Sequence, residues 1–200
     1  MGIISGGLTF KAYIVEGYDF RNINYEEWLD KLNKGKFKAI NKEKSEKESF
    51  GFSDSKDIFL EELEFRNTFY DNYIHFNFRR DTLKMQKSVI NHYIKEIEKT
   101  FTKKVTKREL KEIKARAEAK YIRELYPTIA SYEIIWNVET GILYFFTQSR
   151  AVNDKFTEWF ERNMELELTE LETATFAATI LNDEELVQFD KKSPSSLVSI

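Results

Sequence analysis

The pattern of apolar and polar positions changes its period several times along the chain, and each change predicts an element. Alternation with a period of two predicts a strand from Leu8 to Val15. Asn24 then offers a helix N-cap, with Glu27 three residues later as its capping-box partner. The predicted helix ends near Asn33, because Gly35 follows it.

Three more strands are predicted before the middle of the chain, after a Lys/Glu-rich loop over 36–48. Two of them are short, Ser49–Phe52 and Ile58–Leu63. The clearest is Phe69–Arg79, where polar residues such as His75 and Asn77 alternate with Ile and Phe. One face of this strand is therefore expected to lie in the core.

The apolar spacing then becomes three and four, which predicts two amphipathic helices. The stripe of the first helix consists of Met85, Val89, Ile90, Tyr93, Ile94, Ile97 and Phe101. A capping box of Thr106 and Glu109 opens the second, and Pro127 stops it. Its stripe consists of Leu110, Ile113, Ala117, Tyr121 and Leu125. The two stripes are expected to face each other in an antiparallel hairpin.

Beyond Pro127 the pattern returns to strands. Ser131–Val138 and Gly141–Thr147 predict two strands with a tight turn between them. Ser149–Met164 predicts a helix that buries aromatic residues, and Leu166–Leu171 alternates like a last strand.

This order of elements predicts an α+β fold, an antiparallel sheet body with a long charged two-helix insertion. We divide the chain into an N-terminal α/β part of the body (1–80), a basic helical hairpin (81–127), a strand–strand–helix–strand part of the body (128–175) and a C-terminal tail (176–200). The helical hairpin, residues 81–127, is called the arm below.

Composition narrows the class of protein. The chain has 200 residues, 42% of them hydrophobic and 17 of them Phe, which is sufficient for a sizeable core. It has no Cys, so disulfides are excluded and a reducing cytoplasm is expected. No apolar run approaches the roughly 18 residues of a membrane span, and no signal peptide is recognisable at the start. A cytoplasmic protein is therefore expected.

Positive charge is concentrated in the arm and in the two arginines that directly precede it. Between Arg79 and Arg123 there are 15 Lys/Arg and 6 Asp/Glu, a local balance of +9 in a chain of net charge −3, so the remainder carries −12. Exposed cations at such spacing can contact phosphates, which makes DNA a candidate ligand. The competing interpretation is a solvated helix with internal pairs such as Glu112–Arg116.

The candidate DNA-binding residues are Lys84, Lys87, Lys103, Lys104, Lys107, Arg108, Lys111, Lys114, Arg116, Lys120 and Arg123. On the second helix Lys107, Lys111 and Lys114 share one face, and Arg116, Lys120 and Arg123 share another.

The chain from Leu83 to about Leu171 resembles RdgC, the bacterial recombination-associated protein. The matching segments are LKMQKSVINHYIKEIE, KKVTKRELKEIKARAEAKYIRELYP and IIWNVETGILYFFTQSR. RdgC proteins follow a similar basic helical pair with a Leu-Leu-Pro-type motif, a Trp-Ile-Asp-like segment and a turn with Gly. Here those places hold Leu125–Tyr126–Pro127, Ile135–Trp136–Asn137 and Gly141–Ile142–Leu143. Phe50–Gly51–Phe52 stands where the family has a Gly-Trp pair.

The resemblance implies a nonspecific DNA-binding protein that forms a dimer around duplex DNA, restrains RecA-driven strand exchange and has no catalytic residues. The sequence departs from the family pattern in three ways, and these limit what the resemblance implies. Family members continue for a further C-terminal third that this chain lacks. We therefore expect DNA binding for this chain and do not extend the closed ring of the family to it. Thr128–Ala130 replace an Arg-Ala-Phe segment, and Gln86–Ser88 replace a Pro-containing entry to the first helix.

Other candidate chemistry is weaker. His75 and His92 lack the spacing of metal ligands and are interpreted as structural. Acidic residues late in the chain suggest either a metal-dependent nuclease site or a solvated face, and the alternation of Glu165 and Glu167 favours the latter. Four aromatics, Trp136, Tyr144, Phe145 and Phe146, suggest either base stacking or core, and we favour core. We expect no cofactor, metal or small-molecule substrate.

Two functions follow from the sequence. The first is nonspecific binding of duplex DNA, with single-stranded DNA as a possible ligand, by a nucleoid-associated homodimer that limits RecA-type strand exchange. The alternative is a protein–protein interaction module whose helical hairpin docks a partner or a second copy without binding DNA.

Overall fold

The fold is taken from a computed structural model, which describes residues 9–100 and 106–171. Within these ranges there are seven strands and five α-helices. The strands are β1 Lys11–Glu16, β2 Glu48–Ser53, β3 Phe69–Tyr70, β4 Tyr73–Thr82, β5 Thr128–Asn137, β6 Ile142–Phe145 and β7 Glu167–Glu170. The helices are α1 Tyr25–Lys34, α2 Phe65–Thr68, α3 Lys87–Glu98, α4 Lys107–Glu124 and α5 Arg150–Met164.

All seven strands form one antiparallel sheet in the order β2-β4-β5-β6-β1-β7, with β3 also paired to β4. The predicted α+β class is confirmed. The longest ladder joins β4 and β5, from the pair Tyr73–Asn137 to the pair Thr82–Thr128. The helices of the arm, α3 and α4, are therefore inserted between two neighbouring strands of the sheet.

One face of the sheet is covered by α1 and α5. Asn24 caps α1 as predicted, by accepting a hydrogen bond from the Glu27 N–H at 3.3 Å. The Glu27 carboxylate does not complete the predicted capping box and lies 3.3 Å from the Lys31 ammonium instead. The covering helices bury aromatic rings against the strands: Trp28 stacks on Trp136 with centroids 4.7 Å apart, and Phe156 stacks on Phe145 at 4.2 Å. Burial of such large side chains is the main stabilisation of the body.

The predicted strand Ile58–Leu63 is wrong, because this segment is irregular. The backbone of this segment and of its flanking residues is held by side chains instead of by a neighbouring strand. The buried Asp54 carboxylate accepts backbone N–H bonds from Lys56 and Glu64, and Asn33 accepts one from Leu63. Side-chain acceptors of this kind compete with strand ladders for the same N–H groups.

The predicted strand Phe69–Arg79 is interrupted by a turn at Asp71, which has a φ of 51°. Asp adopts this left-handed conformation more readily than most residues. After the turn β4 continues to Thr82, so Arg79 and Arg80 lie in the sheet and not in a helix. As predicted, Ile74, Phe76 and Phe78 face the core.

The other predicted elements of the body agree with β1, α1, β2, β5, β6, α5 and β7 to within a few residues. Leu8, Phe101 and the segment from 172 onward lie outside the described residues. Over 9–100 and 106–171, no helix combines the length and apolar character that crossing a lipid bilayer requires.

Candidate nucleic-acid interface

The second helix of the arm begins at the capping box that the sequence predicts. The Thr106 hydroxyl accepts a hydrogen bond from the Glu109 N–H at 3.3 Å. In return the Glu109 carboxylate accepts hydrogen bonds from the backbone N–H and the hydroxyl of Thr106, both at 2.7 Å. These hydrogen bonds lower the pKa of the Glu109 carboxyl. The box fixes the residue at which α4 starts, so that Lys107 already belongs to the helix.

The arm has a small apolar core that is separate from the core of the body. It consists of Leu83, Ile90, Ile113, Ala117, Tyr121 and Ile122. Three of these belong to the predicted stripe of α4, whereas Leu110 of that stripe is 45% exposed. Ile122, outside the predicted stripe, is buried near the C-terminal end of α4. That end is anchored by Lys42, whose ammonium donates to the carbonyl of Leu125 at 2.6 Å.

Polar contacts also join α3 to α4. The Tyr93 hydroxyl donates a hydrogen bond to the Glu124 carboxylate, which raises the pKa of Tyr93. The Lys120 ammonium lies 4.6 Å from the centre of the Tyr93 ring and 4.0 Å from a Glu96 carboxylate oxygen. Lys120 is therefore part of the contact between the two helices.

The candidate cations of α4 divide between two opposite sides of the helix. At about 100° per residue, Lys107, Lys111 and Lys114 lie within one narrow sector. Arg116, Lys120 and Arg123 lie in another sector, about 180° away. We call the first side the lysine face and the second side the mixed face. A straight duplex can contact only one of these two sides of α4 at a time.

The lysine face is poor in carboxylates. Lys114 lines a cleft of about 330 Å³ together with Lys87 of α3 and Glu118. Among the described residues of this lining Glu118 is the one that is acidic, and its carboxylate lies 3.8 Å from the ammonium of Lys47. No ion pair to any described residue is formed by Lys87, Lys107, Lys111 or Lys114, all of which are exposed.

The mixed face carries its own carboxylates. Arg116 lines a groove with Glu109 and Glu112, and Lys120 is the partner of Glu96. Glu112 lies 3.6 Å from Arg108, so the anticipated pair Glu112–Arg116 is replaced by Arg108–Glu112 one turn earlier. These acidic residues offset much of the positive charge on this side of the helix.

The remaining candidates lie at the base of the arm or outside the described residues. Lys84 is exposed just after β4, and Lys103 and Lys104 fall in the segment that is not described. Sequence reasoning missed Arg80, which lines a cleft with Lys84. The two are four residues apart, but only the strand register places them at one cleft.

The two histidines interpreted as structural, and Glu165 of the acidic segment, lie beside oppositely charged or hydrogen-bonding residues. His75 lies 2.9 Å from Glu133, and His92 lies 3.4 Å from Glu96. Glu165 pairs with Lys31 at 3.0 Å. Within the part of the chain that is described, no group of three His, Asp or Glu side chains is arranged to hold a metal ion.

The aromatic residues considered for base stacking lie mostly in the interior. Trp136, Phe145 and Phe146 are buried, and Tyr144 is half-buried. The preferred interpretation of these rings as core is confirmed for the three buried ones. Base stacking on this sheet would require them to be exposed.

Neither a scan against models of protein families nor a search of curated protein sequences found a match to this chain. The resemblance to RdgC therefore stays a prediction from the residues quoted above.

Proposed function

We propose that the protein binds duplex DNA without sequence preference, through the lysine face of the arm. The observation that carries this proposal is the set of exposed lysines on α3 and α4 that have no described carboxylate as partner. A helix that needed these charges only for its own stability would be expected to pair them. Unpaired ammonium groups on one side of a helix are suited to a polyanion.

The spacing of the lysines supports contact with a phosphate backbone. Lys107, Lys111 and Lys114 are three or four residues apart, which is roughly 4.5–6 Å along the helix axis. Ammonium groups at this separation can reach successive phosphates, and phosphate contacts carry no information about base sequence. The net charge of −3 on the whole chain does not oppose binding, because the surplus of acidic residues lies outside the arm.

The wider role follows the resemblance to RdgC. A protein that occupies duplex DNA as a homodimer would limit RecA-type strand exchange by covering the strand-pairing site, and it would need no catalytic residue. The alternative role is docking of a protein partner on the apolar stripe of the arm. Burial of Ile113, Ala117 and Tyr121 makes the middle of the α4 stripe inaccessible to a partner, which favours DNA. A partner would have to use the exposed Leu110 of α4 and the half-buried residues of the α3 stripe.

The direct test reverses the charge of one face at a time. We expect the triple variant Lys107→Glu, Lys111→Glu, Lys114→Glu to lower affinity for a random fluorescent duplex at least tenfold, because about three phosphate contacts are lost. The matched control is Arg116→Glu, Lys120→Glu, Arg123→Glu, which makes the same change of net charge on the mixed face. Fluorescence anisotropy over a series of salt concentrations measures both variants.

Equal losses in the two variants would indicate attraction by net charge alone and contradict the assignment to the lysine face. A wild-type protein without duplex affinity, forming a dimer that persists in high salt, would favour the partner-docking role instead. Circular dichroism of each variant establishes that the helices are still folded.

A further inference from the structure

A second cationic cleft lies on the sheet where the arm leaves it, and we call it the base cleft. Its volume is about 380 Å³, and it is lined by Arg80, Thr82, Lys84, Thr128, Ala130 and Tyr132. Arg80 pairs with Ala130 in the β4–β5 ladder, and Thr82 pairs with Thr128, so four of the six residues are cross-strand neighbours. Because the body helices cover the sheet farther along these strands, this end of the face stays open.

The lining of the base cleft offers hydrogen-bond donors and no carboxylate among the described residues. Two side chains are cations, and three others, Thr82, Thr128 and Tyr132, carry hydroxyl groups. The small side chain of Ala130 leaves space between them. A cavity of this kind suits an anion with several acceptor oxygens, which describes a phosphate group.

Arg80 also keeps a donor without a partner. One end of its guanidinium donates to the Glu48 carboxylate at 2.9 Å, and the group lies 5.4 Å from the centre of the Phe50 ring. Its Nε atom is buried and makes no hydrogen bond to any described group. Buried donors in native proteins usually have a partner, so a bound acceptor would complete the hydrogen bonding of this Nε–H.

The base cleft is continuous in the chain with the lysine face. Lys84 lines the base cleft, and the next residue, Met85, lines the cleft that contains Lys87 and Lys114. We propose that the base cleft binds a phosphate group, and that in the DNA complex this is a backbone phosphate next to those held by the lysine face. The inference rests on the proposed function for the source of the phosphate, since a free phosphate satisfies the same donors.

The test measures how duplex affinity depends on salt in two cleft variants. Each phosphate contact contributes about 0.9 to the slope of log affinity against log salt on duplex DNA. Lys84→Met removes a cation, whereas Ala130→Leu fills the cleft without changing charge. We expect each variant to reduce the slope by about 0.9. The control Lys34→Met, an exposed lysine of α1 without an ion pair to described residues, leaves the slope unchanged.

The outcomes separate this inference from the proposed function. If both cleft variants keep the wild-type slope while the lysine-face triple variant loses binding, the proposed function stands and the base cleft is not a phosphate site. If Lys84→Met alone changes the slope, a general charge effect is indicated and the cleft assignment is overturned. Melting temperatures close to wild type establish that the variants are folded.

If wild-type protein does not bind duplex, free phosphate decides the inference. Inorganic phosphate is then titrated into labelled protein at constant ionic strength, and the amide NMR signals of Lys84, Thr128 and Ala130 are followed. Saturable shifts that disappear in Ala130→Leu support a site for free phosphate. Absence of saturable shifts in the wild type overturns the inference.

Discussion

The body and the arm bury apolar side chains by different means, although they belong to one continuous chain. In the body, aromatic rings from five strands and two helices form a single cluster, and Trp136, Phe156 and Phe160 are completely buried. In the arm, two helices share a few aliphatic residues and Tyr121, and Leu110 stays nearly half exposed. The region with the larger positive charge is thus the region with the smaller core.

This difference suggests that the two regions respond differently to perturbation. Most contacts of the arm are between α3 and α4. These two helices can therefore separate locally without disturbing the ladder between β4 and β5. The aromatic cluster of the body connects elements that are distant in sequence, so its loss is expected to unfold the whole sheet. Three substitutions test whether the arm and the body unfold independently.

The largest effect is expected in the body, from Phe156→Ala. The ring of Phe156 contacts those of Tyr13, Phe78, Phe145 and Phe160, and its removal leaves a cavity. We expect the free energy of unfolding to fall by about 3–5 kcal/mol. Urea denaturation followed by circular dichroism measures this change. Leu110→Ala is the control in the arm and should lower the free energy of unfolding by less than about 1 kcal/mol. Similar losses in the two variants would contradict the difference between body and arm.

A smaller and local effect is expected in the arm, from Ile113→Ala. Ile113 is buried, but its neighbours belong to the arm and not to the body cluster. We expect a cost of about 2 kcal/mol, at the low end for such a substitution, because the small core can partly collapse. Amide hydrogen exchange should accelerate in α3 and α4 and stay unchanged in β4 and β5. Equal acceleration in the strands would show that arm and body unfold together.

The smallest effect is expected at the helix start, from Thr106→Ala. Loss of the cap should cost about 1 kcal/mol at neutral pH, measured as faster amide exchange in the first turn of α4. The lowered pKa of Glu109 means that its hydrogen bonds stabilise the fold above the unfolded pKa of about 4.3. This contribution disappears as the pH falls through the lower folded pKa. The cost of Thr106→Ala should therefore shrink in acid, and a cost that is independent of pH would contradict the role of Glu109.

Local signals were sufficient to predict much of the fold. The capping residues Asn24 and Thr106 act within three residues of the helix they start, so their effect can be read from the sequence. The alternation of β4 likewise predicts its buried face. The prediction of a strand at Ile58–Leu63 is wrong because Asn33 binds the backbone of Leu63 and Asp54 binds that of the flanking Glu64, and such tertiary acceptors leave no local pattern.

The division of the α4 cations between two sides of the helix was predicted, because helical spacing alone determines it. Other elements of the structure determine on which side of α4 the cations lack a carboxylate partner. Glu96 of α3 approaches Lys120, and Lys47 of the preceding loop approaches Glu118. Arg80 could not be recognised, since its place beside Lys84 and Ala130 requires the register of β4 against β5.

The position of the arm determines how much change in its length the fold tolerates. Thr82 and Thr128, at its two ends, are direct partners in the sheet, so the arm enters and leaves the body at one point. Closing a connection costs only about 0.6 kcal/mol more for each doubling of its length. The arm can therefore change in length or charge at little cost to the sheet. Its two ends stay side by side in the ladder of β4 and β5, whatever lies between them.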